Sequence, residues 1–198
     1  MQIERTKTLN TVVTSKEEIL KVSRRLIQIQ GKNAINIRNV ARECGISVGS
    51  IYNYFGNKSD LITETVSSVW QDIFMFPEEG FPSDSFTGCI EWAFESLKKG
   101  EEKYPGFFSL HSLVFAGSEK SEGHKLMIQS WNHMKAAFMA VLRQDPNVSK
   151  DAFDESFTEE DFAGTIFSLM IAALVQKDYN PAHIINLVNR LIYQKSAR

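Results

Sequence analysis

Apolar residues recur every three or four positions along most of this chain, the period of helices that each bury one face. Ile19, Val22, Leu26 and Ile29 form the first stripe, in a helix that starts at Thr14 or Ser15 and ends at Gly31. Thr14 and Ser15 are each followed three residues later by a glutamate, Glu17 or Glu18, which is capping-box spacing. Ile37, Val40, Ala41 and Cys44 mark a second helix of about two turns. Gly45 ends it, because glycine readily takes the positive φ needed just past a helix C-terminus. Ile46 is then placed to return to the core, and Ser47 to cap a third helix, Val48 to Tyr54. Within that third helix Ile51 and Phe55 face inward, leaving Val48, Gly49, Ser50, Tyr52, Asn53 and Tyr54 largely outward. Two short helices crossing sharply on a tight glycine turn make a helix-turn-helix.

Gly56 or Asn57 interrupts the chain, and a long helix is predicted from Lys58 to Phe76. Its Leu61, Ile62, Val66, Val69, Trp70 and Ile73 cover more than one stripe, so it is expected to pack on both sides of the molecule. Pro77, Gly80 and Pro82 mark a loop. Ser83 or Asp84 then caps a helix to Lys103 carrying Phe86, Ile90, Trp92, Ala93, Phe94 and Leu97. After the turn Tyr104-Pro105-Gly106, a short helix holds Phe107, Phe108, Leu110, His111, Val114 and Phe115, and a longer one runs from Ser121 to Gln144. Residues 145–158 are a polar connection, followed by the last two helices, Glu159 to Asp178 and Pro181 to Lys195. No sustained alternation bounded by hairpin dipeptides occurs, so the predicted class is all-α, with about nine helices. The last two helices are apolar over more than one face. That predicts a subunit interface, with a buried monomer core as the alternative.

The 198 residues divide into a flexible leader (1–13), a helix-turn-helix domain (14–57), a linking helix (58–76) and a larger body (77–198). A hydrophobic content of 43% is enough for a packed core in both main parts. Net charge is −2, but residues 1–60 hold ten Lys or Arg against five acids, a local +5 that leaves −7 on the remainder. A basic module on an acidic body concentrates attraction for a polyanion at one end. Cys44 and Cys89 lack CxxC spacing, so neither a zinc site nor a disulfide framework follows. The first ten residues lack a signal-peptide core, and the apolar stretch Ile166 to Val175 is far below the roughly 18 residues that span a bilayer. Cytoplasmic residence away from the membrane is the expectation.

The outward face of the third helix carries two tyrosines, hydroxyl and amide groups and a glycine but no acid, so a DNA groove can accept it. N-terminal residues of such a helix reach base edges. Val48 is placed to press on a thymine methyl and Asn53 to bond a base edge or phosphate, with Ser47, Ser50, Tyr52, Tyr54 and Lys58 holding the backbone. Lys58 also opens a helix, where its ammonium and the helix dipole converge on one phosphate. The plainer reading is that Tyr52 and Tyr54 cap a small three-helix core.

The string Val40-Ala41, Gly45-Ile46-Ser47, Gly49, Ile51-Tyr52, Tyr54-Phe55 and Asn57-Lys58, with Leu61 behind it, resembles the signature of TetR-type (tetracycline-repressor-like) transcriptional regulators. It departs from the usual pattern at Asn36, where threonine is common, and at Tyr54, where histidine is common; both side chains can still bond a phosphate. The resemblance implies that Arg38 reaches a guanine edge or phosphate. It further implies that the last two helices, about 159–195, form a four-helix bundle between two subunits, and that a small effector binds inside the body.

Candidate effector contacts are Trp92, Phe107, His111, Phe115, Trp131, Met134, Phe138 and Met170, suited to an apolar or aromatic ligand, although plain core explains such a set as well. No cofactor or metal is implied, and no HExxH, repeated Glu-x-x-His or nucleophile elbow supports an enzyme. The expected function is a ligand-responsive regulator, by default a repressor, that binds a palindromic operator as a homodimer. The alternative is a helical adaptor or small-molecule-binding protein with a vestigial DNA reader.

Overall fold

A computed structural model describes residues 14–31, 35–74, 84–108 and 122–193. Among them are eight helices and no strand: α1 (Lys16–Gln30), α2 (Ile37–Cys44), α3 (Val48–Tyr52), α4 (Lys58–Ile73), α5 (Phe86–Lys103), α6 (Glu122–Gln144), α7 (Glu159–Gln176) and α8 (Ala182–Leu191). The fold is all-α, an N-terminal helix-turn-helix domain followed by a larger helical part. The leader, the proline loop after α4 and most of the short helix expected around His111 and Phe115 lie outside the described residues.

Polar side chains set the helix starts. Ser15 accepts from the Glu18 amide, Ser85 from Gly88, and Thr158 forms a reciprocal capping box with Asp161. The cap of α5 is therefore Ser85 rather than Ser83 or Asp84, because the first buried residue, Phe86, directly follows it. Four of the expected ends also shorten: α3 stops at Tyr52 rather than Tyr54, α4 at Ile73, α7 at Gln176, where Lys177 takes a left-handed conformation, and α8 at Leu191. In α1 the buried face is Ile19, Ser23, Leu26 and Ile27, and Ile29 is 67% exposed. Ile29 lies too far round the helix from Ser23, whose hydroxyl bonds back to the Ile19 carbonyl and is thereby tolerated inside. Thr65 and Ser68 enter the buried face of α4 the same way, donating to the Leu61 and Thr65 carbonyls.

Two hydrophobic clusters result. The first joins α1–α4 and also takes in Leu97, Tyr104, Phe107, Phe108 and Leu174 from the body. The second is built from α5, α6, α7 and α8. Helix α4 packs on α1 at one end and on α5 and α6 at the other, so it belongs to both halves. Residues 145–158 are more ordered than a plain connection. Asp145 is 5% exposed and accepts from the amides of Phe86 and Asn147 and from the Tyr193 hydroxyl, and Val148 pairs with Tyr193 in one isolated antiparallel bridge.

Candidate nucleic-acid interface

The geometry of the reader is set by three caps and one turn. Asn36 Oδ1 accepts from the Asn39 amide at 2.9 Å and starts α2. Gly45 ends it in the left-handed region (φ 67°), with its amide on the Arg42 carbonyl and the Ile46 amide on the Ala41 carbonyl. That pair of bonds is a Schellman motif, which a side chain at position 45 would strain. Two residues on, Ser47 Oγ accepts from the Ser50 amide at 3.0 Å and starts α3. Ile51 and Phe55 are fully buried beneath it.

What α3 presents outward matches the expected face. Val48 (39% exposed), Tyr52 (48%) and Tyr54 (37%) are large side chains held in solvent. Gly49 and Asn53 are exposed beside them, and Ser50 is half-buried with its hydroxyl 2.9 Å from that of Ser47. Arg38 on α2 and Lys58 at the start of α4 are exposed, and neither has an ion-pair partner among the described residues. A lysine in the first turn of a helix faces the positive end of the dipole, an arrangement that an approaching phosphate relieves. Asp60, in the same turn, is held by the Asn57 cap at 3.0 Å.

Tyr54 makes a long-range bond within the domain. Its hydroxyl donates to the Thr14 carbonyl at 2.6 Å and so ties the end of the reader to the start of α1. Lys16 completes this brace, with its ammonium 2.6 Å from Glu64 and 5.4 Å from the centre of the Phe55 ring. Neither contact has a local spacing, so neither was visible in the sequence. Tyr54→Phe is expected to lower stability in the absence of DNA by about 1 kcal/mol, the net worth of one hydrogen bond. Urea unfolding checks this: a tyrosine that serves only to bind phosphate leaves the midpoint unchanged.

The candidate effector residues separate. Trp92, Met134, Phe138 and Met170 line one wholly apolar cavity of about 30 Å³, whose other walls include Trp70 of α4 and Phe74 just past its end. Phe107 does not reach it; it is buried in the first cluster, edge-on to Trp70 at 5.7 Å. Trp131 packs against Phe167 and faces an outer groove between α6 and α7. His111 and Phe115 lie outside the described residues. Sequence reasoning missed Trp70 and Phe74 as cavity walls because their spacing assigned them to a link.

Burial raises the thiol of Cys44, helped by the charges of Glu18 and Glu43, and pushes Cys89 up to about 12. Both stay protonated and unreactive at neutral pH. Among the described residues no three His, Cys, Asp or Glu side chains gather to hold a metal, and no helix is long and apolar enough to cross a membrane.

Residues 19–65 match the family described as bacterial regulatory proteins, tetR family. The chain is 39% identical over 54 residues to the uncharacterized HTH-type transcriptional regulator YxaF of Bacillus subtilis (strain 168), a match that covers 27% of this chain and 28% of that protein. The chain thus spans little more than a quarter of that relative's length. Across nearly the whole chain it shares a fold with solved structures at low identity. A transcriptional regulator from Rhodococcus sp. Rha1 superposes with a TM-score of 0.62 at 13% identity, covering 90% of this chain and 98% of that one. BioQ, crystallised with its natural double-stranded DNA operator, superposes at 0.57 and 15% identity, covering 90% and 98%.

Proposed function

From a chain that belongs to the tetR family of bacterial regulatory proteins and carries its DNA-binding domain, we infer a homodimeric repressor that reads a palindromic operator and is released by a small apolar effector. One observation carries the DNA-reading part: α3 and its cap hold Val48, Tyr52 and Asn53 in solvent on a base fixed by Ile51 and Phe55, flanked by Arg38 and Lys58, exposed cations with no ion-pair partner among the described residues. A solvent-facing helix gains nothing from such side chains; a major groove does. Arg38 and Lys58 bind phosphate or, for Arg38, a guanine edge, while Ser47, Ser50 and Tyr52 fix the register. Asn36 acts as the cap that aims α2, and Gly49 leaves room for the close approach of the DNA backbone.

The dimer reading is supported by the outer faces of α7 and α8. Leu169, Val175, Leu187 and Leu191 are exposed there, a set of apolar side chains that a second copy would cover. The effector reading is supported by the cavity at Trp92, Met134, Phe138 and Met170. Its walls offer no charge, so the buried part of a ligand is neutral and apolar, and the two methionines let the cavity enlarge around it. A ligand that enters only the enlarged cavity favours that state and shifts the readers.

Duplex binding titrated against salt tests this reading. Lys58→Ala is expected to weaken all sequences alike and to reduce the salt slope by about one, the signature of one lost phosphate contact. Val48→Ala is expected to relax base choice at one position with the slope unchanged. Equal losses from Val48→Ala on operator and random duplex contradict its role as a base reader.

A further inference from the structure

The C-terminal end of α5 grips α4 through contacts that the reading above does not use. Ile73 of α4 lies against Gly100 of α5, where an added Cβ would meet three Ile73 side-chain carbons at 2.9, 3.0 and 3.1 Å. Isoleucine is stiff at χ1, so an alanine there displaces the helix rather than a side-chain tip. One turn on, Asp72 Oδ2 accepts from Tyr104 Oη at 2.7 Å and from Lys103 Nζ at 2.6 Å. Tyr104 is 1% exposed, and Arg24 and Gln28 of α1 line one groove with Asp72 and Tyr104. Three elements, α1, α4 and the end of α5, therefore meet at one tyrosine.

This grip sits beside the effector cavity. Trp70 and Phe74, two residues either side of Asp72, form one wall, and Leu97 of α5 forms another. Parting α4 from α5 is one way to enlarge so small a cavity beyond what its methionines allow, and the grip opposes that motion.

We propose that Asp72, Gly100 and Tyr104 are positioning residues that set the angle of α4 on α5, and through it the separation of the two reader helices in the dimer. The proposal rests on the dimeric reader inferred above. None of the three belongs to the DNA-reading set on α2, α3 and the start of α4. Their effect is confined to binding that needs both readers at one spacing, and a single reader on random duplex is indifferent to them. By linkage, the energy that holds the grip closed is also a cost that an effector must meet to open the cavity.

The test uses the full-length protein, the operator recovered by selection from random duplexes, and versions of it with one base pair added or removed between half-sites. Tyr104→Phe and Gly100→Ala are the variants, one cutting a bond and one pushing the helices apart. Each is expected to lower affinity for the operator roughly tenfold, within the usual range of couplings between sites. Affinity for random duplex should stay unchanged, and the gap between the natural and altered spacings should narrow. Thermal melts exclude simple unfolding, and if either variant melts below the assay temperature the other carries the test. Equal losses on operator and random duplex, or wild-type affinity and wild-type spacing preference in both variants, overturn the assignment. A wild-type protein that enriches no operator overturns the dimeric reader itself, and this assignment with it.

Discussion

Ile51→Ala is expected to abolish sequence-specific DNA binding while leaving most of the helix content in place. Ile51 is the one buried side chain of α3, with 0% exposure. Truncating a buried isoleucine to alanine costs about 2–5 kcal/mol, the lost transfer energy plus the cavity left behind. A helix of five residues has no stability of its own, since isolated helices shorter than about 12 residues are marginal even in favourable sequences. The loss therefore falls on the placement of Val48, Tyr52 and Asn53, while the second cluster, built from α5 to α8, is untouched. Far-ultraviolet circular dichroism and an operator titration on the same sample check this. Operator affinity within threefold of wild type would mean that α3 is not the reader.

Asp145→Ala is expected to be the most destabilising single change in the body, by about 3 kcal/mol or more. The estimate follows from the several kcal/mol lost when one member of a buried charged network is removed and its partners are left unpaired. The carboxylate binds the first amide of α5 through Phe86, the amide and side chain of Asn147, and the hydroxyl of Tyr193. Removing it unties the start of α5 from the end of α6 and from the segment after α8 in one step.

The same residue gives the protein an acid limb. Burial works to raise the Asp145 carboxyl, but the bonds from Tyr193, Phe86 and Asn147 outweigh it and hold the group below its ordinary value of 3.8. Asp72 follows the same pattern: burial is outweighed by the bonds from Lys103 and Tyr104 and by the charges of Lys103 and Arg24. A depressed carboxyl stabilises the fold above its unfolded value, and the contribution is lost as pH falls through the folded one. Urea midpoints should thus be flat near neutrality and fall below about pH 4, the ordinary carboxylate range. Asp145→Asn should lower the neutral plateau and flatten the acid limb; an acid limb as steep as that of wild type would contradict this account of Asp145.

Local chemistry was legible in the sequence, and long-range chemistry was not. Gly45, Ser47 and the pair Ile51 and Phe55 announce the reader because each acts within four residues of itself, where spacing carries geometry. Ser15 and Asn57 cap their helices for the same reason. Tyr104 and Asp72, 32 residues apart, and Asp145 and Tyr193, 48 apart, share no local pattern; the first three sat in stretches that looked like turn, link or connection, and Tyr193 sat near the end of the expected last helix. Ile29 misled because a stripe read from apolar residues alone passes over Ser23, a polar residue made compatible with burial by its own backbone bond. The outer faces of α7 and α8 were legible only as an excess of apolar residues. Which of them stay exposed on one chain, Leu169, Val175, Leu187 and Leu191, depends on how the other helices cover them. Aromatic composition marked the body as a place for a ligand but did not separate Trp92 and Phe138, which line the cavity, from Phe107, which does not.

The most direct test of the dimeric reader is selection of duplexes from a random pool by the purified full-length protein at moderate salt, followed by sequencing of what is retained. A dimeric reader enriches an inverted repeat whose half-sites lie about one helical turn, or a multiple of it, apart, as two symmetry-related α3 helices require. Retained sequences with no common element, or a single half-site without its symmetric mate, would contradict it.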